Sequence, residues 1–142
     1  MLQHPATILL YGNIDERMSL FFLKEMRRLH LHKNVLVRIN SYGGDLLCAL
    51  SIINVMKQHR GHVITLVDGF AASSASLIAA SAQVRFMHKT SFQLAHKVVN
   101  DCPANGPIFN SVIKSIYKED IPEDRWLTAS ECFEYRICDK II

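Results

Sequence analysis

Three stretches of the 142-residue chain combine residue types and spacings suited to group-transfer chemistry. Gly43-Gly44 follows the run VLVRIN and precedes an amphipathic stretch that opens at Asp45. Without Cβ atoms, such a turn lets backbone N–H groups approach a ligand closely, to bind phosphate or to stabilise an oxyanion. Phosphate is the weaker reading. Neither G-x-G-x-x-G nor G-x-x-x-x-G-K-S/T occurs, and Asp45 puts negative charge at the helix start.

Gly69-Phe70-Ala71-Ala72-Ser73-Ser74-Ala75 is the second stretch. A nucleophilic serine on a sharp strand-to-helix turn needs small residues two positions to either side. Ala71 and Ala75 flank Ser73 as the glycines of G-x-S-x-G flank their serine. The first N–H groups of the helix would then point at the reacting oxygen. Close packing of an Ala/Ser-rich helix explains the same composition, and local chemistry does not choose among Ser73, Ser74 and Ser76.

The third concerns histidine, of which the chain has seven. His88 and His96 each end a predicted strand. A lone His there is ordinarily structural, unless a serine and a carboxylate come to lie beside it. His30 and His32 have no third ligand nearby in sequence, so they read as solvated residues at a helix end and no metal site is expected.

Such residues need a frame. Residues 7–11 predict a strand, and Asn13-Ile-Asp-Glu16 has the form of a capping box that opens a helix with Ile14, Met18, Phe21, Phe22, Met26 and Leu29 on one stripe. A strand over 35–40 and a helix over 45–59 follow, the helix turning Leu46, Leu47, Leu50, Ile53 and Met56 inward. The next strand covers 62–67, and Asp68-Gly69-Phe70 leads into a helical stretch ending near Ala82. Strand, helix, strand, helix, strand, helix in a chain this short predicts an α/β fold with a parallel sheet and right-handed crossovers. Short strands at 84–88 and 91–96, a loop over 97–107, a helix over 107–119, a capping box at Thr128-Ala-Ser-Glu131 and a terminal strand over 137–142 complete the pattern. In open sheets of this class, ligands bind beyond the carboxyl ends of the strands. Ser41–Asp45, Asp68–Ser74 and His96 meet that condition.

Composition agrees with a single domain, 1–142. A chain of this length buries roughly 70% of the surface that its unfolded form exposes. Six Gly and four Pro against 49% hydrophobic residues exclude disordered and collagen-like chains. Apolar runs such as 46–50, or 63–67 with only Thr65 breaking it, fall far short of the roughly 18–20 residues that span a bilayer, so no membrane association is expected. The N-terminal stretch lacks the features of a secretion signal. Cys48, Cys102, Cys132 and Cys138 form no Cys-x-x-Cys and read as reduced thiols in a cytoplasmic setting. A net charge of +3 is too small to argue for nucleic acid, and the basic cluster from Arg17 to Arg38 has Asp15 and Glu16 beside it and Glu25 within it.

Taken together, the segments resemble the Clp protease proteolytic subunit family, self-compartmentalised serine peptidases with a crotonase-like fold. ILLYGNID (8–15) is similar to the first strand and turn of that family, and INSYGG (39–44) to its I-N-S-P-G-G turn. DGFAASS (68–74) is similar to its nucleophile segment and TSFQLAH (90–96) to its N-S-x-x-x-x-H stretch. DRWLTASECFEY (124–135), with Asp139 beyond it, is similar to its C-terminal D-R motif. The resemblance implies Ser73 as nucleophile, His96 as general base and Asp124 as the group that orients the imidazole. It implies an oxyanion hole formed by the Gly44 and Ser74 N–H groups, and no cofactor. It further implies a homo-oligomeric ring, heptameric in type, an AAA+ unfoldase as partner, and peptides or unfolded proteins as substrates.

The chain departs from the family pattern at several points. Tyr42 replaces the Pro before Gly-Gly, Ser74-Ala75 replaces Met-Gly, Arg136 replaces a Gly, and Glu123 replaces the Arg before the catalytic Asp. Set against that resemblance, the handle region, about 97–123, reads as shortened and the gating segment before the first strand is expected to be nearly absent. A non-catalytic subunit that completes a mixed ring is therefore a second reading. Weaker ones are a crotonase-type acyl-CoA enzyme, for which the chain has little CoA-binding surface, and a Ser-Lys peptidase using Lys89 or Lys97.

Overall fold

The computed structural model describes residues 5–95, 106–117, 122 and 124–142. Its elements in chain order are β1 (Ala6–Tyr11), α1 (Glu16–Arg28), β2 (Asn34–Ser41), α2 (Leu46–Gln58), β3 (His62–Ala72), α3 (Ser74–Ser81), β4 (Val84–Met87), β5 (Phe92–Ala95), α4 (Gly106–Ile116), β6 (Arg125–Thr128), α5 (Ala129–Glu134) and β7 (Lys140–Ile141). The sheet runs β1-β2-β3-β4-β7, all parallel, and β5 also pairs parallel to β3. The α/β class with a mostly parallel sheet is thus as the periodicity predicts. Among the described residues β5–β6 is the one antiparallel pair.

Alternation builds the core. Val35, Val37 and Ile39 on β2 and Ile8 and Leu10 on β1 are at most 1% exposed, as expected where every second side chain of a strand turns inward. They join Phe22 and Met26 of α1, Ile52, Ile53 and Met56 of α2, and the wholly apolar or small inner residues of α3 in one cluster. Each large side chain buried there contributes about 1.5–3 kcal/mol. Two expected inward positions point out instead: Phe21 and Leu47 are exposed. The buried arc of α2 is centred on Ala49, Ile52, Ile53 and Met56, which puts Leu47 on its outer side.

Helix α1 starts later than the Asn13 capping box suggests. Ile14 is held in a bridge to the Gly43-Gly44 turn, its N–H donating to Gly43 O (3.0 Å) and its C=O accepting from Asp45 N–H (2.8 Å). It is therefore extended, and Asp15 becomes the N-cap, accepting from the Met18 N–H at 2.8 Å. Asp45 caps α2 in the same way through the Cys48 N–H (2.9 Å). At the other end of the chain the Thr128–Glu131 capping box is present, opening α5. The expected terminal strand is reduced to the two residues of β7. His96 and most of the expected 97–107 loop lie outside the described residues. No described helix is long and apolar enough to cross a membrane.

Candidate active site

Strand β3 runs five residues past its expected end at Val67 and bends on the way. Its register with β2 holds through Ile39↔Val67 and resumes at Ser41↔Ala71, so Asn40 alone faces Asp68, Gly69 and Phe70. The Asn40 Oδ1 fills the gap by accepting the Phe70 N–H at 3.2 Å. A Cβ on Gly69 would sit 2.7 Å from that oxygen, so the acceptor and the glycine require each other. Before the bend β3 pairs with β4; after it, Phe70, Ala71 and Ala72 pair with Phe92, Gln93 and Leu94 of β5.

The bend delivers the chain to Ser73, the single residue between β3 and α3. Its backbone has φ 56° and ψ −128°, a conformation that costs a non-glycine residue about 1–3 kcal/mol and persists only where the surroundings enforce it. The Ser73 N–H donates to Leu94 O (2.7 Å), and its carbonyl accepts from the Ser76 N–H (3.0 Å). Ala71 and Ala75 are fully buried, so their positions have no room for a larger side chain. Of the three serines that local chemistry leaves open, Ser74 and Ser76 are buried and Ser73 is half-buried. The Ser76 Oγ is also committed to Ser73 O (2.6 Å) and the Tyr117 OH (2.6 Å).

The Gly43-Gly44 turn lies against this elbow. Gly43 has φ 94°, and a Cβ there would fall 2.5 Å from Ala72 O and 3.1 Å from Ser74 N. Gly44 has φ 154°, and a Cβ there would meet Ile14 O at 2.3 Å. The turn is wedged between Ile14 and the Ser73 segment, and only glycine fits both positions. Ser41 pins it from below, its Oγ donating to Gly12 O (2.6 Å) and accepting the Gly43 N–H (3.0 Å). Among the described residues the Gly44 and Ser74 N–H groups donate to no backbone acceptor.

Asp124 enters from β6. Its N–H donates to Ala95 O at 2.9 Å, which seats it at the end of β5, beside the residue that precedes position 96. Asp124 also has positive φ, 63°; it, Ser73 and Arg136 are the described non-glycine residues with that backbone sign. Its side chain is exposed. An aromatic relay links the three contributing segments: Tyr42, next to the glycine turn, packs on Phe70 of β3 with ring centroids 4.1 Å apart. Phe70 meets Trp126 of β6 edge-on at 6.3 Å.

A polar cluster that sequence reading missed joins β1, β2, β3 and the residue after β4 at the start of the bend. Asp68 accepts the Arg38 guanidinium bidentately (2.8 and 2.9 Å), the Tyr11 hydroxyl, and a contact from His88 Nε2 at 3.2 Å. Partial burial works against its charge, but the hydrogen bonds from Arg38 and Tyr11 and the Arg38 charge outweigh it and hold the carboxyl below its ordinary value. Nothing in the spacing of Tyr11, Arg38, Asp68 and His88 signals the cluster, since only strand register brings them together. Burial pushes the Cys132 thiol up to about 12 and Cys138 to about 11, leaving both protonated and unreactive. Among the described residues no group of three or more His, Cys, Asp or Glu could hold a metal.

Residues 1–105 match the family model described as Clp protease. Relatives include ATP-dependent Clp protease proteolytic subunit 3 of Rhodococcus jostii, 27% identical over 96% of this chain and 80% of that protein. Proteolytic subunit 2 of Treponema denticola is 26% identical over 94% and 80%. Among solved structures, a mutant of ClpP1 from Listeria monocytogenes superposes with a TM-score of 0.84 at 22% identity, covering 96% of this chain and 90% of that one. The crotonase-like, ClpP-type fold expected from the motifs agrees with that superposition.

Proposed function

Because the chain belongs to the Clp protease family, we propose that it is a serine endopeptidase in which Ser73, His96 and Asp124 form the catalytic triad. The observation that carries this is the Ser73 backbone, held at φ 56° between β3 and α3 with the glycine turn against it. A strand-to-helix elbow of this shape lifts a serine hydroxyl clear of its own backbone and turns the first helical N–H groups toward it. A residue with only a packing role has no need of that strain.

In the proposed reaction His96 takes the Ser73 Oγ proton as the oxygen attacks a peptide carbonyl. The Gly44 and Ser74 N–H groups hold the resulting oxyanion, and His96 returns the proton to the departing amine. Water, deprotonated by the same imidazole, then releases the acyl group and regenerates Ser73. Asp124 orients the imidazole and stabilises its charged form. One oxyanion donor contributes on the order of 10²–10³ in rate. His96 lies outside the described residues; its role rests on the sequence match and on Asp124 sitting beside the end of β5.

The relatives' names describe ATP-dependent proteolytic subunits. From the family resemblance we further propose a homo-oligomeric ring with enclosed sites, an AAA+ unfoldase that feeds it, a cytoplasmic setting, and peptides or unfolded proteins as substrates. The decisive experiment is labelling of size-fractionated protein with a fluorophosphonate, with Ser73→Ala as control. Strong labelling of the wild type in a ring-sized fraction and none of the variant is expected. Equal labelling of both would overturn the reading, and co-assembly with a labelled paralogue would then favour a structural subunit of a mixed ring.

A further inference from the structure

The buried hydroxyl of Tyr117 has a place in the nucleophile's surroundings that neither the triad nor the oxyanion hole explains. Tyr117 follows directly on α4, its N–H closing that helix onto Ile113 O (3.1 Å), and its side chain is buried against α3. Its OH lies 2.6 Å from the Ser76 Oγ, which in turn lies 2.6 Å from Ser73 O. The direction of both bonds follows from counting protons. A carbonyl oxygen only accepts, so Ser76 gives its single proton to Ser73 O, and Tyr117 must donate to Ser76.

The Ser73 carbonyl therefore receives two hydrogen bonds from one residue, from the Ser76 N–H and the Ser76 hydroxyl. They act on the peptide group whose ψ is −128°. Donation from Tyr117 polarises the Ser76 hydroxyl and fixes its rotamer, which makes it the better donor to Ser73 O. Both residues are buried, Ser76 being 1% and Tyr117 8% exposed, so bulk water does not replace the lost partner.

We infer that Tyr117 is a positioning residue for the nucleophile, acting through Ser76 to hold the Ser73 carbonyl and with it the strained elbow. This deepens the serine-peptidase reading above and rests on it. It predicts that the hydroxyl of Tyr117, rather than the bulk of its ring, governs Ser73 reactivity, and that it does so only while Ser76 can relay the bond.

The test is a double-mutant cycle on the assembled full-length protein with Tyr117→Phe, Ser76→Ala and the pair. Two quantities are read for each: the rate constant for fluorophosphonate labelling of the folded fraction, and the thermal midpoint. Tyr117→Phe should slow labelling by about fivefold, the equivalent of one ordinary hydrogen bond. Ser76→Ala should slow it by about tenfold or more, and adding Tyr117→Phe to Ser76→Ala should slow it no further. A lowered midpoint with an unchanged labelling rate would show a merely structural hydroxyl and overturn the inference. So would independent, multiplicative effects of the two changes. Absence of Ser73-dependent labelling in the wild type would remove the peptidase reading and this inference together, whereas strong wild-type labelling with an unaltered rate in Tyr117→Phe removes this inference alone.

Discussion

Asn40 Oδ1 accepts the Phe70 N–H at 3.2 Å, so a side chain on β2 supplies the acceptor that the interrupted β2–β3 ladder lacks. Asn40→Ala leaves that N–H half-buried and unpaired. We expect a loss of about 1–2 kcal/mol in urea unfolding, with a slower labelling rate at Ser73, because the bend that aims β3 at the elbow loses its brace.

Gly44→Ala should be a damaging single-methyl change at the site. The added carbon would sit 2.3 Å from Ile14 O, on a backbone with φ 154°. A loss of about 2–3 kcal/mol is expected, together with a fall of about 10²-fold in peptide hydrolysis as one of the two proposed oxyanion donors moves away. Gly12→Ala is the control. Gly12 has φ 100° with no atom within 4 Å of a built Cβ, so it should lose about 1 kcal/mol and keep its hydrolysis rate.

Asp68→Asn tests the polar cluster through pH. The folded carboxyl titrates below its ordinary 3.8. Its contribution is therefore complete above that value and disappears as pH falls through the lower folded value. At pH 7 the variant should be about 1–2 kcal/mol less stable, a figure reduced because Arg38 is partly exposed. Chemical denaturation across the acid range should show the wild type and variant converging below about pH 4.

Asp124→Asn separates catalysis from stability. The side chain is exposed, while the backbone bond to Ala95 O does not depend on its charge. With Asp124 as the proposed triad carboxylate, hydrolysis of a short peptide should fall by about 10³–10⁴-fold, the usual result when an imidazole loses its carboxylate partner. The thermal midpoint should stay within about 1 °C.

Much of the fold is legible in the sequence because each α/β unit carries its own period. The alternation in VLVRIN and the caps at Asp45 and Thr128 are local signals with local consequences. Features set by pairing are not. Strand β6 is four residues, RWLT, and exists only because β5 lies antiparallel beside it. The extension of β3 past Val67 depends on Asn40, 30 positions away from Phe70. Arg136 stands where a glycine is preferred, yet takes φ 57° all the same, because the Ile137 N–H reaches back to Cys132 O (2.8 Å) and closes the end of α5. At the site, Ser73 and the two glycines are visible as small residues flanking turns. The Tyr117–Ser76 relay leaves no sequence signal, since it joins residues 41 positions apart that share only a hydroxyl.

Strand β3 belongs to three ladders, and they are unequal. Six consecutive residue pairs tie its first part to β2 and four tie it to β4, whereas three tie its last part to β5 and a single one, Ser41↔Ala71, ties it to β2. The elbow and Asp124 both hang on that three-pair seam, because Ser73 donates to Leu94 and Asp124 to Ala95. Partial opening of a protein starts where the fewest contacts must break. This seam is therefore expected to part on warming while the α/β body is still closed, so that the proposed activity is lost below the unfolding midpoint and returns on cooling.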